Sequence, residues 1–196
     1  AYDQIIQGLS GAMSITGDIR SAPLRIGYPV CDTIGGLTAA FAVCAELLRA
    51  RTTGQGSFVD VSMLDATLAT MGWVVSNYLN ADVVPVPMGN DNFTAAPSGT
   101  FRTGTGLLNI AANEQRQFFA LCGAIGAPEL ATDLRFAGRE ARKRHRAELT
   151  AALEAKLAAR PAAEWEELLV VAGVPAGRVL TVPEILSHGH STAGET

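Results

Sequence analysis

Apolar residues recur at intervals of three and four along two stretches of the chain, residues 34–48 and 64–78, and this spacing predicts two helices. Residues 3–15 are also largely apolar and predict an earlier helix. Between the two main stretches, residues 57–62 are rich in β-branched and aromatic side chains, which predicts a strand. Helix, glycine turn, strand and helix in this order predict an α/β layer structure.

The composition changes at residues 80–98, where proline, asparagine and aspartate accumulate and predict a linker or an ordered loop. Beyond it, alternating apolar positions on both sides of Gly104-Thr105-Gly106 predict a β-hairpin. Three helices, a short strand and the start of another helix are predicted at residues 114–124, 139–159, 162–172, 177–181 and 183–186. We therefore predict two modules that join near residue 85.

The composition narrows the function classes. The chain has 196 residues, of which 48% are hydrophobic and 17% charged, and its formal net charge is -4. This balance excludes an intrinsically disordered chain, and the mild acidity argues against a general nucleic-acid binder. The longest apolar stretch, residues 34–48, is too short for a membrane span and contains Glu46, so we expect a soluble protein without membrane partners.

Three widely spaced cysteines, Cys31, Cys44 and Cys122, form no Cys-x-x-Cys pair. An odd and dispersed set of this kind indicates reduced thiols in a cytoplasmic protein. We expect each of the three to be a small buried apolar residue.

Asp32 is the first candidate for chemistry, because it stands where the helix 34–48 is predicted to begin, just before Gly35 and Gly36. A carboxylate in that place faces free backbone N–H groups and the positive end of the helix dipole, which favour its charged form. The glycines lack Cβ atoms and would let a substrate approach. The alternative is that Asp32 is a helix N-cap, and the residue pattern alone favours that alternative.

Three other features are interpreted as structural. Gly104-Thr105-Gly106 lacks the third glycine of a dinucleotide fingerprint and stands in a hairpin. The basic run at residues 135–146 has helical spacing with glutamates interleaved, which predicts a solvated face. His188 and His190 have no obvious third ligand nearby, so we predict no metal site.

A series of short segments resembles, in one order, segments of the class III CoA-transferases, the family that includes formyl-CoA transferase. Among them, the six residues that end at Asp32, Gly-Tyr-Pro-Val-Cys-Asp, are followed by the pair Gly35-Gly36. The matching segments are residues 2–17, 27–36, 51–56, 59–65, 97–112, 128–136 and 173–177. The resemblance covers nearly the whole chain.

The resemblance implies an α/β fold that contains part of a Rossmann-like large domain together with a small α+β domain. It places the second part of the large domain at residues 1–85, the small domain at 86–180 and the start of the return to the large domain at 181–196. The resemblance implies that the match begins after the N-terminal half of the large domain, and we therefore expect that half to be absent here. The family further implies an interlocked homodimer, and we expect the 196 residues alone to be weakly active or inactive.

The same resemblance implies that Asp32 is the catalytic nucleophile that exchanges CoA between an acyl-CoA and a small carboxylic acid. CoA is then a substrate, and no cofactor is bound permanently. Residues implied to lie around CoA are Tyr2, Gly35, Gly36, Met63, Gly89 and Asn90. Residues 89–90 stand near the place of a mobile glycine-bearing loop. The glycine run of formyl-CoA transferase is missing there, which indicates substrates other than formyl-CoA and oxalate.

Two alternatives remain at this stage. The α-methylacyl-CoA racemases share the fold and the aspartate, but carry a histidine at the place of Tyr2 and use it in a His/Asp acid–base pair. Tyrosine, with an ordinary pKa near 10, suits that proton transfer poorly, which favours transfer over racemisation. The other alternative is a catalytically incomplete binding or assembly fragment.

Overall fold

The structure, a computed structural model, describes residues 2–187. The chain separates into two compact units, residues 1–89 and 90–196. The described part of the first unit contains helices and irregular connections but no strand, and the second unit combines helices with a small sheet. This mixture of helices and strands agrees with the α/β class predicted from the sequence, whereas a Rossmann-like arrangement stays a prediction.

Five helices form the described part of the first unit: α1 (Asp3–Leu9), α2 (Ala12–Ile15), α3 (Val30–Thr53), α4 (Met63–Thr70) and α5 (Gly72–Ala81). The single helix predicted over residues 3–15 is wrong, because Gly11 has a φ of 81° and separates α1 from α2. Helix α3 begins four residues before the predicted start. It ends at Gly54, whose φ of 72° is left-handed and suits glycine.

The strand predicted over residues 57–62 is not formed in the structure. A strand exists only when a neighbouring strand supplies hydrogen-bond partners, and the described part of the first unit contains no other strand. Phe58 is 92% exposed, whereas Val59 and Val61 are half-buried.

Helix α3 carries much of the exposed apolar surface of the first unit. Leu37, Phe41, Leu47 and Leu48 are all exposed on it. With 24 residues, α3 is long and apolar enough to cross a membrane by length and composition, so the predicted shortness of this segment is wrong. The core helix of a soluble protein can have the same length and apolar composition. The absence of membrane partners stays a prediction.

The second unit is built on an antiparallel sheet of three strands in the order β1 (Ser98–Arg102), β2 (Leu107–Ala111) and β3 (Ala176–Arg178). In the hairpin, Ser98 pairs with Ala111 and Arg102 with Leu107, so the hairpin around Gly104-Thr105-Gly106 is confirmed. Strand β3 pairs with β2 and is shorter than the segment predicted at 177–181.

In the described part of the second unit, this sheet is accompanied by six helices and a short 3-10 helix: α6 (Gln115–Ala124), α7 (Pro128–Thr132), the 3-10 helix (Leu134–Phe136), α8 (Arg139–Arg144), α9 (Arg146–Leu157), α10 (Ala162–Val171) and α11 (Val182–Ser187). The helix predicted over 139–159 is thus divided at His145. A buried hydrophobic cluster lies here and includes Phe101, Leu108, Phe118, Leu121, Phe136, Leu149, Leu153, Leu157, Trp165 and Leu169.

The solvated face predicted for the basic run is wrong at Arg142, which is 1% exposed. Its guanidinium lies 4.4 Å from the centroid of the Phe118 ring and donates to the carbonyl oxygens of Ala96 and Phe136. Because residues of other elements supply the apolar and acceptor groups, helical spacing alone did not predict this burial. Arg139 and Arg146 also donate to main-chain carbonyls, within the segment 92–98.

The cysteines are free, as predicted, but only two of them are buried. Cys31 and Cys122 are fully buried, whereas Cys44 is exposed on α3. The prediction of three buried cysteines is therefore wrong for Cys44. Its place on the exposed apolar face of α3 explains the difference.

Candidate active site

Asp32 lies in the first turn of α3, at the third helical position, and its side chain is exposed. The N-cap residue of α3 is Pro29, which supplies no side-chain cap, so the interpretation of Asp32 as an N-cap is wrong. Within residues 2–187 the Asp32 carboxylate makes no hydrogen bond or ion pair. The positive end of the helix dipole acts on this first turn and stabilises an anion there.

The side chain that accepts a backbone N–H at the start of α3 belongs to Asp3, on α1. Its Oδ1 accepts the backbone N–H of Cys31 at 2.9 Å, and its Oδ2 accepts from Gln7 at 2.7 Å and from Arg25 at 3.3 Å. Asp3 is 7% exposed. Burial acts to raise the pKa of Asp3, but the bonds from Cys31, Gln7 and Arg25 outweigh it and lower this pKa below its ordinary value.

Gln7 extends this network to the segment that leads into α3. The side chain of Gln7 is fully buried, and its Oε1 accepts the backbone N–H of Ile26 at 2.8 Å. Its Nε2 donates to Asp3 and, at 3.4 Å, to the carbonyl oxygen of Tyr28. Asp3 and Gln7 are four residues apart and therefore lie on the same face of α1. Together they hold the connection that runs from Arg25 to Cys31.

Gly35 and Met63 are two predicted site residues that the structure brings together. A Cβ added at Gly35 would come 3.1 Å from the Met63 Cγ, so the missing side chain of Gly35 leaves room for Met63 and for close packing of α3 on α4. The neighbouring Gly36 is exposed, and a Cβ added there would meet nothing within 4 Å. Of the two glycines, only Gly36 leaves open space beside the turn that carries Asp32.

The remaining predicted site residues are Tyr2, Gly89 and Asn90. Tyr2 is the N-cap residue of α1 and is 82% exposed. Gly89 has a φ of 61° and donates its N–H to the carbonyl oxygen of Gly17 at 2.7 Å, which ties residue 89 to the first unit. Asn90 is exposed and belongs to the second unit. The roles predicted for Tyr2, Gly89 and Asn90 stay predictions.

Among residues 2–187, no group of three or more His, Cys, Asp or Glu side chains is placed to hold a metal ion. His188 and His190 lie outside the described residues. The prediction concerning these two histidines therefore has no structural counterpart.

No role for Asp3 or Gln7 was predicted from the sequence, although both stand within a segment that resembles the family. A signal was present, since an acidic and an amide residue four positions apart interrupt a short, mostly apolar helix. Their partners, Ile26 and Cys31, are 19 and 28 residues away in the sequence, so the spacing within α1 could not identify them.

Comparison with known proteins agrees with the resemblance found in the sequence. The family model described as CoA-transferase family III matches residues 1–196. The acetyl-CoA:oxalate CoA-transferase of Acetobacter aceti is 37% identical over 185 residues, which cover 94% of this chain and 48% of that protein. The succinyl-CoA:glutarate CoA-transferase of Mus musculus is 32% identical over 186 residues, with 95% of this chain and 43% of the relative covered.

A solved structure gives the same result for the fold. The crystal structure of a CaiB/BaiF family protein from Brucella suis aligns with a TM-score of 0.87 and 33% identity, covering 100% of this chain and 52% of that one. The chain thus spans about half the length of the curated relatives and of the solved structure that it matches.

Proposed function

The chain belongs to CoA-transferase family III, and we propose that it supplies the nucleophilic aspartate of an enzyme that moves CoA from an acyl-CoA donor to a carboxylic acid acceptor. The observation that carries the proposal is the state of Asp32, an exposed carboxylate in the first turn of α3 with no partner among residues 2–187. Capping of α3 falls to Asp3, so Asp32 is free for chemistry. The relatives named as acyl-CoA:carboxylate CoA-transferases support the reaction class.

In the proposed reaction, an Asp32 oxygen attacks the thioester carbonyl of the acyl-CoA. The carbon–sulfur bond breaks, CoA leaves as a thiolate, and a mixed anhydride remains on Asp32. The thiolate then attacks the aspartyl carbonyl of the anhydride. This step releases the donor acid as a carboxylate and leaves an aspartyl-CoA thioester.

The second half of the reaction repeats these steps in reverse. The acceptor carboxylate attacks the aspartyl-CoA carbonyl and expels CoA thiolate, which forms a new anhydride. The thiolate then attacks the acceptor carbonyl, and the products are the new acyl-CoA and the free Asp32 carboxylate. No proton is gained or lost over the cycle, and no permanently bound cofactor is required.

We propose that further polypeptide contributes to the complete active site, in an interlocked homodimer of the kind that the family resemblance implies. Two findings support this. The chain spans about half of its relatives, and the first unit exposes large apolar side chains such as Leu37, Phe41 and Phe58. An isolated chain of these 196 residues would then turn over acyl-CoA weakly.

We also propose that the protein is cytoplasmic. The free thiols of its three cysteines support this location.

The test is mass spectrometry of the full-length protein after incubation with a panel of acyl-CoAs. We expect a CoA adduct on the peptide that contains Asp32, and hydroxylamine is expected to convert that aspartate to its hydroxamate. Asp32→Asn removes the nucleophilic oxygen and is expected to abolish both the adduct and the transfer. The matched control is Asp82→Asn, since Asp82 is also an exposed aspartate and asparagine tolerates its left-handed backbone, with a φ of 51°.

Other outcomes would contradict the proposal. Exchange of the α-proton of a branched acyl-CoA for deuterium, without an acceptor acid and without an adduct, would favour a racemase. Acyl-CoA binding or protein association with neither adduct nor exchange would favour a binding module.

A further inference from the structure

We propose that Asp3 is a positioning residue for the Asp32 nucleophile, and that it acts through the backbone amide of Cys31. This inference rests on the proposed function of Asp32. The two oxygens of Asp3 are divided between two tasks. Oδ1 accepts the Cys31 N–H at 2.9 Å, while Oδ2 accepts from Gln7 and Arg25.

The Cys31 amide is the immediate neighbour of Asp32 along the main chain. Holding its N–H fixes the peptide plane from which the first turn of α3 proceeds, and hence the direction in which the Asp32 side chain leaves the helix. Pro29, the residue that occupies the N-cap, supplies no side-chain acceptor for this turn. The acceptor therefore comes from α1, 28 residues earlier in the sequence.

The support behind Asp3 is buried and hydrogen-bonded. Gln7 and Cys31 are both 0% exposed, and Gln7 holds Asp3 and the Ile26 N–H at the same time. Buried hydrogen-bonded side chains of this kind have a single favourable arrangement, which is what a positioned nucleophile needs. Asp32, in contrast, is exposed and makes no hydrogen bond or ion pair to any residue from 2 to 187.

The same geometry argues that Asp3 does not react itself. All of its acceptor contacts are directed at protein groups, and it is 7% exposed. An attack on a thioester would require Asp3 to leave those donors. Its contribution is therefore to orientation, where an error of about 1 Å in the place of a reacting group can cost on the order of a hundredfold in rate.

The experiment compares Asp3→Asn and Asp3→Glu with the native full-length protein by two measurements. The first is the rate at which the CoA adduct forms on Asp32, from quenched samples analysed by mass spectrometry. The second is the equilibrium affinity for CoA, from calorimetry. We expect Asp3→Asn to slow adduct formation at least about tenfold with an affinity for CoA within about twofold of native. Asp3→Glu keeps the charge and is expected to be intermediate.

The matched control is Asp133→Asn in the second unit. Asp133 also accepts a backbone N–H at the start of a helical turn, from Arg135 at 2.8 Å, and forms an ion pair with that arginine. We expect it to leave the rate and the affinity unchanged. A folded Asp3→Asn variant with a native rate, or an equal loss in Asp133→Asn, would overturn the inference.

Two further outcomes also bear on the inference about Asp3. If Asp3→Asn does not fold, Asp3→Glu decides by the same two measurements, and a native rate in that variant overturns the inference. If the native protein itself forms no adduct on Asp32 with any acyl-CoA of the panel, the proposed function fails first, and the inference about Asp3 fails with it.

Discussion

The carboxylate of Asp3 accepts the backbone N–H of Cys31 at 2.9 Å, so a residue on α1 caps a helix that begins 27 positions later, at Val30. Aspartate is among the preferred residues for satisfying a helix N-terminus, and it normally does so from the N-cap position itself. Here the capping aspartate is distant in sequence, and the aspartate in the first turn of α3, Asp32, is left exposed.

The contribution of Asp3 to stability is expected to depend on pH. Its pKa is lowered, with burial opposing the change and the bonds from Cys31, Gln7 and Arg25 prevailing. The unfolded chain, with an ordinary value of 3.8, therefore binds the proton first as the pH falls. The stabilisation is present above that value and is lost as the pH falls through the lowered pKa of the folded state.

The measurement is the free energy of unfolding by urea at several pH values between about 5 and 2.5, for the native protein and for Asp3→Asn. We expect the native curve to fall more steeply toward acid, because the variant has no proton to bind at this position. Asp18 and Glu46, whose pKa values are also lowered, titrate in both proteins and cancel in the comparison. If the two curves run parallel, the Asp3 contacts make no pH-dependent contribution to the free energy of unfolding.

The two adjacent glycines of α3 are expected to respond differently to alanine. Gly36→Ala places a methyl group in open space and should raise the free energy of unfolding by up to about 1 kcal/mol, the difference in helix propensity between the two residues. Gly35→Ala brings a Cβ to 3.1 Å from Met63 Cγ, so the contact offsets that gain.

Thermal or urea unfolding of the two variants provides the check. A double-mutant cycle with Met63→Ala tests the cause, since the penalty at Gly35 should disappear once the Met63 side chain has been shortened. If Gly35→Ala stabilises as much as Gly36→Ala in the native background, the packing of Gly35 on Met63 does not limit the size of residue 35.

Loss of the Arg142 side chain is expected to destabilise the second unit strongly. Arg142→Ala leaves the buried carbonyl oxygens of Ala96 and Phe136 without this donor and opens a space beside the Phe118 ring. The expected cost is on the order of 3 kcal/mol in the free energy of unfolding, measured with urea. Arg144→Ala, in the same helix, removes an exposed side chain and should change stability by less than about 0.5 kcal/mol. Equal effects of the two variants would contradict the structural role of Arg142.

Cys44 and Cys122 should react with a thiol reagent at well separated rates. Cys44 is exposed and is expected to be labelled first at neutral pH by iodoacetamide in the isolated 196-residue chain. Burial raises the pKa of Cys122 to about 11, so both its accessibility and its thiolate fraction are low, and we expect it to react only on unfolding. Peptide mapping after timed labelling identifies the order. Rapid labelling of Cys122 in the folded chain would contradict its burial.

Features that depend on residues close together in the sequence could be predicted, whereas features that depend on distant residues could not. The hairpin around Gly104-Thr105-Gly106 was predicted because turn residues and alternating strands are local features, and the structure confirms it. The strand at 57–62 was wrong, because its composition fits a strand but its partner would have to come from elsewhere. Similarly, the burial of Arg142 depends on Ala96 and Phe118, which no spacing within α8 reveals.

The candidate site also has one feature that the local sequence predicts and one that depends on a tertiary contact. The sequence predicted Asp32 at the start of this helix, because the apolar period of α3 and the Gly35-Gly36 pair are visible there, but α3 begins at Val30 and so includes Asp32 in its first turn. Whether Asp32 caps the helix or stays exposed could not be decided there. The deciding group is the Asp3 carboxylate, and the approach of α1 to α3 is a tertiary contact.

The arginines of α8 and α9 have a consequence for how this chain can change. Arg139, Arg142 and Arg146 donate to the carbonyl oxygens of Thr94, Ala96 and Asn92, and these bonds depend on the path of the main chain and not on the side chains of residues 92–96. Arg146 also pairs with the Asp91 carboxylate, just before this segment, at 3.6 Å. Substitutions at exposed positions between residues 92 and 96 can therefore accumulate while the anchorage persists. An insertion or deletion, which shifts the carbonyls out of register, would break it. Anyone who redesigns this segment must therefore keep its length but can vary the residues at its exposed positions.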